Sequence, residues 1–387
     1  MRKETVAIRT QSKRSHFKEH SGPIYMTSSY AFEDAEEMRT LFSEEREGNI
    51  YSRYSNPNTS EFVEKMVLLE GAEDGWATAS GMAAVFSTFG ALLEQGDHIV
   101  SCRSVFGSTH KLLTEILPKF GIKNTYVDFD DYEGFQSEVN EKTKMIYLET
   151  PSNPGLDIID LSRVSKICKL KGILLVVDNC FATPIIQQPI RHGADIVIHS
   201  ATKYIDGQGR SLGGVILGTS DLIQKIQAFA RHTGPCLSPF NAWILSKSLE
   251  TLDVRLERHC KNALVVAKWL ETKSEVNWVK YPFLESHPQY ELAKKQMSQG
   301  GGIITFEIKG GIKKGKQFLD QLKMFSLTAN LGDTRSIATH PASTTHSKLS
   351  EVDRLAVGIT DGLIRLSIGL EHTEDIVIDL NKAFSKT

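Results

Sequence analysis

Through the middle of the chain, short apolar runs alternate with longer segments whose apolar positions recur every three or four residues. DHIVSCR, NTYVDF, KMIYLET, ILLVVDN, ADIVIHS and GGVILG have the β-branched, nearly unbroken hydrophobicity of strands buried on both faces. Segments such as LSRVSKICKLKG lie between them and show helical spacing. This alternation predicts βαβ crossovers, and therefore an α/β fold with a mostly parallel sheet and helices on both faces. From about residue 249 the texture changes. LETLDVRLERHCKNALVVAKWLE predicts one long amphipathic helix, and GGIITFEIKG and LIRLSIGLE predict strands of a smaller C-terminal α+β domain with an antiparallel sheet. The first fifty or so residues are polar and hold few core candidates. They read as an arm, residues 1–52, that packs on a neighbouring subunit, or else as a frayed tail. The domains expected after it are 53–248 and 249–387.

The stretch HSATKYIDGQGRSLGGVILG supplies the first candidate chemistry. Lys203 emerges at the end of a buried strand, where α/β proteins keep their ligands. One strand–helix unit earlier, Asp178 ends the aliphatic run ILLVVD, a position where a carboxylate needs a cation or hydrogen bonds. A lysine that forms a Schiff base, with an acid that keeps a pyridinium protonated, is the pair pyridoxal phosphate chemistry requires. Its phosphate needs a site. TASGMAAVFSTFGALL reads as a helix opening at SGM, with the N–H groups of Gly81 and Met82 free to face an anion. Ser200 and Thr202 flank the lysine and add hydroxyl donors. The glycines of GQGRSLGG do not form a dinucleotide fingerprint, and there is no phosphate-binding P-loop.

Charge and composition narrow the partners. With a formal charge of −2 and no long like-charge run, nucleic acid is not expected. The polar N-terminus does not read as a signal peptide, and no apolar run approaches the length of a membrane span. A cytoplasmic protein is the expectation. The cysteines at 102, 168, 180, 236 and 260 are odd in number and lack a C-x-x-C pair, so they read as small core residues of a reducing compartment. His340 and His346 have no acidic or sulfur ligand beside them in sequence, and no metal site is expected.

The motifs YSRYSNPN (51–58), ATASGMAA (77–84), ETPSNP (149–154), VVDN (176–179), HSATKY (199–204), THPASTTHS (339–347) and RLSIGLE (365–371) together resemble the Cys/Met-metabolism family of pyridoxal phosphate enzymes, the cystathionine γ-synthase-like group. Within it, TKYIDGQGR, GPCLSPFNAW, SVFGSTH and NLGDTRS resemble the O-succinylhomoserine sulfhydrylase branch. The resemblance implies an aminotransferase-like, fold type I large domain at 53–248 that binds pyridoxal 5'-phosphate. It implies Lys203 as the cofactor-bearing lysine, Asp178 as the partner of the pyridine nitrogen, and Gly81, Met82, Ser200 and Thr202 as phosphate donors. Tyr51 and Arg53 would reach the phosphate of a neighbouring subunit in a tetramer built from two dimers, and Asn153 would lie near the phenolic oxygen. Arg365, with Ser336 beside it, would hold the substrate α-carboxylate.

Two departures from the γ-lyase and γ-synthase pattern bear on the reaction. Phe106 stands where those enzymes stack a tyrosine on the cofactor ring, and Arg335 replaces an acidic residue just before Ser336. A phenyl ring stacks but moves no proton. The implied reaction is γ-replacement on O-succinyl-L-homoserine, or its O-acetyl counterpart, with sulfide giving L-homocysteine in methionine biosynthesis. Cystathionine γ-synthase and methionine or cystathionine γ-lyase activities are the alternatives. Arg103 and Arg335 are the candidates to receive a succinyl carboxylate.

Overall fold

The computed structural model describes residues 1–344, 347, 351–356 and 358–387. Seven strands form the larger sheet: β1 (Asp74–Thr78), β2 (His98–Cys102), β3 (Lys123–Val127), β4 (Thr143–Glu149), β5 (Leu174–Asp178), β6 (Ile196–Ser200) and β7 (Gly214–Gly218), in the order β1-β7-β6-β5-β4-β2-β3. The pairs β2–β3, β2–β4, β4–β5 and β5–β6 are parallel. Their residues alternate between two cores, which is why they read as unbroken apolar runs. Val100, Ile146, Leu148, Leu175, Val177 and Val197 pack on the side of the helix Leu161–Lys171. Ile99, Met145, Tyr147, Val176, Ile196 and Ile198 pack on the side of the helix Gly81–Leu92.

β7 runs antiparallel to β6 and to β1. A parallel return needs a crossover of a dozen or more residues, usually helical, whereas residues 201–213 form only turns and loop. The sequence DGWAT of β1 has too little apolar character to announce a strand; β7 supplies its pairing partner.

The second sheet contains β8 (Val276–Lys280), β9 (Ile303–Ile308), β10 (Ser326–Leu327), β11 (Ile337–Thr339) and β12 (Leu363–Ser367), in the order β10-β11-β12-β9-β8. It is antiparallel apart from β10–β11. The helices Leu252–Glu271, Gly311–Gln321 and Thr373–Ser385 cover it. The single helix expected from Leu249 is interrupted: one helix ends at Leu249 and the next starts at Leu252, with Thr251 outside helical geometry.

The N-terminal stretch is not frayed. The helix Lys3–Arg9 buries Val6 and Ala7 in the same core as Phe62 and Met66 of the helix Pro57–Glu70. Beyond it, Ser12 N donates to Glu61 Oε2 (2.9 Å), Asn58 Nδ2 to Pro23 O (2.7 Å) and Trp243 Nε1 to Gly22 O (2.8 Å). Buried polar groups on the 57–70 helix anchor a segment with little hydrophobic signal of its own. Further along, Met26, Met38, Phe42 and Tyr51 remain exposed on this one chain. The cysteines also divide: Cys102, Cys168 and Cys260 are buried, but Cys236 is exposed. Its backbone bridges Thr78 at the sheet edge, which leaves the thiol outside the core. Among the described residues no helix is long and apolar enough to cross a membrane.

Candidate active site

The parallel register brings three strand ends together. Asp178 closes β5 opposite Glu149 of β4 and Ile198 of β6. Asp178 Oδ1 accepts the N–H of Cys180 at 2.9 Å. Burial pushes the Asp178 carboxyl up to about 6, against the opposing pull of that hydrogen bond and of nearby His199. Glu149, also buried, accepts the N–H of Phe106 at 2.7 Å. Burial and then the Asp178 charge push its carboxyl well above the usual range. Behind them, His199 Nε2 lies 3.0 Å from Glu70 Oε2, with both side chains buried.

Lys203 follows β6 in a tight turn and donates from Nζ to Asn330 Oδ1 at 2.8 Å. Burial lowers its pKa, nearby Arg365 lowers it further, and Cys180 opposes the change. The turn is clamped by Arg255, whose guanidinium donates to the carbonyls of Tyr204 (2.7 Å), Ile205 (3.1 Å) and Ser248 (3.0 Å). Desolvation lowers this guanidinium to about 10. Gly207, at φ +69°, permits the clamp, since a Cβ there would lie 2.1 Å from Arg255 Nη1.

Beside the lysine is a cluster of donors. Ser80 caps the helix Gly81–Leu92 by accepting from Ala83 N at 3.1 Å, which leaves the first-turn N–H groups of Gly81 and Met82 pointing outward. Gly81 lies so close to Ser200 that a Cβ would approach Ser200 Cβ to 2.6 Å. Thr202 Oγ1 exchanges hydrogen bonds with Gly213, at 3.4 and 3.2 Å. The helix dipole favours an anion at this first turn.

Arg365 comes from β12. Its Nη1 donates to Asn153 Oδ1 (3.1 Å) and its Nη2 to Asn330 O (3.1 Å), while its buried Nε has no acceptor among the described residues. Desolvation lowers this guanidinium to about 10. Among the described residues this buried cation is bonded only to amide, carbonyl and hydroxyl oxygens, which leaves its charge to be met by an anionic ligand.

Several expected residues lie otherwise. Ser336 donates from N to Glu371 Oε1 (2.7 Å) and from Oγ to Glu371 Oε2 (2.9 Å), so both of its donors are spent. Asn330 occupies the place between Arg365 and Lys203 instead. Asn330 and Glu149 both lie within motifs that drew attention, NLGDTRS and ETPSNP, but nothing local in those motifs marks them as neighbours of Lys203 and Asp178. Phe106 is 43 % exposed and precedes the short helix Gly107–Lys111. Arg103 donates to Asp128 at 2.9 Å at the outer strands of the sheet. Arg335 donates to Asp333 at 2.9 Å and to Gln208 O, just beyond the Lys203 turn, at 3.2 Å. Arg53 stacks on Tyr51 and Tyr54 and donates to Arg231 O. Among the described residues neither Tyr51 nor Arg53 hydrogen bonds to the Lys203 cluster of its own chain. His340 is held by Ser343 and by Asp361 O, and His346 lies outside the described residues.

Pyridoxal phosphate fits these residues: an amine, an acid pushed up by burial, and an anion cradle at a helix start follow the C-terminal ends of β6, β5 and β1. The fold and site define a pyridoxal-phosphate enzyme of the aminotransferase-like, fold type I class. Residues 4–385 match the family of Cys/Met metabolism PLP-dependent enzymes, and the chain belongs to that family. It is 44 % identical to an O-succinylhomoserine sulfhydrylase of Pseudomonas aeruginosa, over 99 % of this chain and 95 % of that one. An L-methionine gamma-lyase of Fusobacterium nucleatum is 42 % identical, over 99 % and 98 %. A solved structure of a Campylobacter jejuni O-acetylhomoserine (thiol)-lyase homologue, carrying N'-pyridoxyl-lysine-5'-monophosphate, superposes with a TM-score of 0.96 at 35 % identity, covering 100 % of both chains.

Proposed function

We propose that the chain catalyses γ-replacement on an O-acyl-L-homoserine, with the succinyl ester preferred, using sulfide to give L-homocysteine and the free carboxylic acid. One observation carries this reading: the buried Arg365, without a carboxylate partner among the described residues, is joined through Asn330 to Lys203. An amino acid whose α-carboxylate meets Arg365 brings its Cα to the lysine amine. Bound pyridoxal phosphate supplies the electron sink for charge that develops at Cα.

The protein's own groups do the rest. Asp178 holds the proton balance at the ring nitrogen, and Gly81, Met82, Ser200 and Thr202 hold the phosphate. The Lys203 amine, its pKa lowered by burial, takes the Cα proton and then one from Cβ. The acyl carboxylate leaves Cγ, sulfide bonds there in its place, and Lys203 returns the protons. Asn153, fixed by Arg365 at 3.1 Å, orients the ring's phenolic oxygen. Arg335, beside the loop that follows Lys203, receives the distal succinate carboxylate, with Arg103 as the other candidate.

Tyr51 and Arg53, at the junction between the 1–52 arm and the 53–248 domain, act on a neighbouring subunit's phosphate, and the remainder divides at about residue 249. The smallest complete unit is then a dimer, paired into a tetramer. Cleavage of methionine or cystathionine is the second reading, and the 42 % identity to a γ-lyase favours it. Phe106 opposes it, because a phenyl ring cannot protonate a leaving thiolate. The deciding assay gives purified holoenzyme either O-succinyl-L-homoserine with sulfide or methionine alone. Homocysteine from the first pair and little ketoacid or ammonia from the second is expected; the reverse pattern would replace the proposal with the lyase.

A further inference from the structure

The chemistry above leaves Glu149 without a task. Its side chain is 4 % exposed at the end of β4, directly across the ladder from Asp178. Among the described residues no ion pair reaches it, and a charged carboxyl there is unfavourable. Burial and the Asp178 charge push it well above the usual carboxylate range. What Glu149 still offers is an acceptor oxygen, and Oε2 takes the Phe106 N–H at 2.7 Å.

That bond ties the loop after β2 to the end of β4. Phe106 leaves the sheet after β2, the neighbour of β4. It then enters a helix of only five residues, Gly107–Lys111, that lacks a side-chain cap. The phenyl ring itself is 43 % exposed, so packing holds it weakly. Thr109, on the same short helix, contacts Met82 Sδ at 3.7 Å, which puts this loop beside the anion cradle.

We infer that Glu149 is a positioning residue: its carboxyl pins the Phe106 backbone to the ends of β4 and β5, and so keeps the phenyl ring over the cofactor whose nitrogen faces Asp178. The inference rests on the proposed places of Phe106 and Asp178 around pyridoxal phosphate. Glu149 acts through Phe106, so its contribution should vanish when the ring is absent.

The test compares Glu149→Gln, which keeps a carbonyl acceptor, with Glu149→Ala, which does not. Each is made alone and in a Phe106→Ala background. The dissociation constant of pyridoxal 5'-phosphate and the visible band of the lysine-bound cofactor are measured. Glu149→Gln should stay within about twofold of the parent with an unchanged band, because the acceptor is preserved. Glu149→Ala should bind about tenfold more weakly with a shifted band, the scale of one lost buried hydrogen bond. In the Phe106→Ala background the same change should cost less than about twofold. If the alanine protein does not fold, Glu149→Met keeps the volume without a strong acceptor and takes its place. A glutamine variant as weak as alanine, or an equal loss in both backgrounds, would overturn the inference. Parental affinity and band in Phe106→Ala alone would instead overturn the placement of that ring, and the inference with it.

Discussion

Replacing Asp178 by asparagine should make the cofactor-free protein more stable while disabling the enzyme. The carboxyl is pushed from 3.8 up to about 6 by burial without a cation. At about 1.4 kcal/mol per pH unit, that bounds the cost of its charge at ~3 kcal/mol. Asp178 keeps some contact with solvent at the strand end, so about 1–2 kcal/mol is the reasonable expectation. The sign follows from linkage: the folded state holds the proton more tightly than the unfolded chain. The group's stabilising contribution is therefore complete below about pH 4 and is lost as the pH rises to about 6. Thermal unfolding of cofactor-free parent and Asp178→Asn, followed from pH 4 to pH 8, should show the variant melting higher at pH 8 and the gap closing toward pH 4. Adding pyridoxal phosphate should reverse the order, because only the aspartate can meet a protonated ring nitrogen, and kcat should fall by about a hundredfold or more in the variant. Equal melting temperatures at pH 8, or a gap that does not change with pH, would refute the argument that the site holds an uncompensated carboxylate awaiting its cation.

Three further expectations can be checked directly. Lys203→Ala should fold yet lack the borohydride-bleachable visible band, and mixing it with inactive Arg53→Ala subunits should restore activity, since one site per hybrid dimer is intact; no recovery in demonstrated heterodimers would mean that both residues serve one chain. Arg335→Ala should raise KM for the succinyl ester by about tenfold while hardly changing the acetyl ester; equal losses on both esters, and likewise for Arg103→Ala, would remove the proposed carboxylate contact. Arg255→Met strands the carbonyls of Tyr204, Ile205 and Ser248 and should cost about 3 kcal/mol or more, seen as a lower melting temperature and faster loss of cofactor; parental values in both would show that the Lys203 turn holds itself.

Much of this molecule is written locally. A strand buried on both faces must be apolar throughout, so six of the seven strands of the larger sheet can be found from their runs, and the parallel direction of five of them from the helices between them. Lys203 and Asp178 were visible for the same reason, as polar residues ending such runs, and the Ser80–Gly81 helix start showed itself through its own capping chemistry. What could not be read locally depends on register and on contacts between distant segments. β7 turns back antiparallel because the residues before it contain no crossover helix, and β1 is a strand only because β7 pairs with it.

The same division runs through the site. Glu149 stands beside Asp178 because the β4–β5 ladder aligns their ends, and a shift of one residue would turn the two carboxyls to opposite faces. Asn330 reaches Lys203 across 127 residues of chain, and Ser336, only six positions further along, is drawn away by Glu371. Residue types and spacing along the chain determined which chemistry the protein carries, because propensity, burial pattern and capping are local. Which carboxyl, amide and guanidinium meet around the lysine was decided by tertiary structure alone, because hydrogen-bond distance is set by how sheets and loops pack, whatever the separation in sequence.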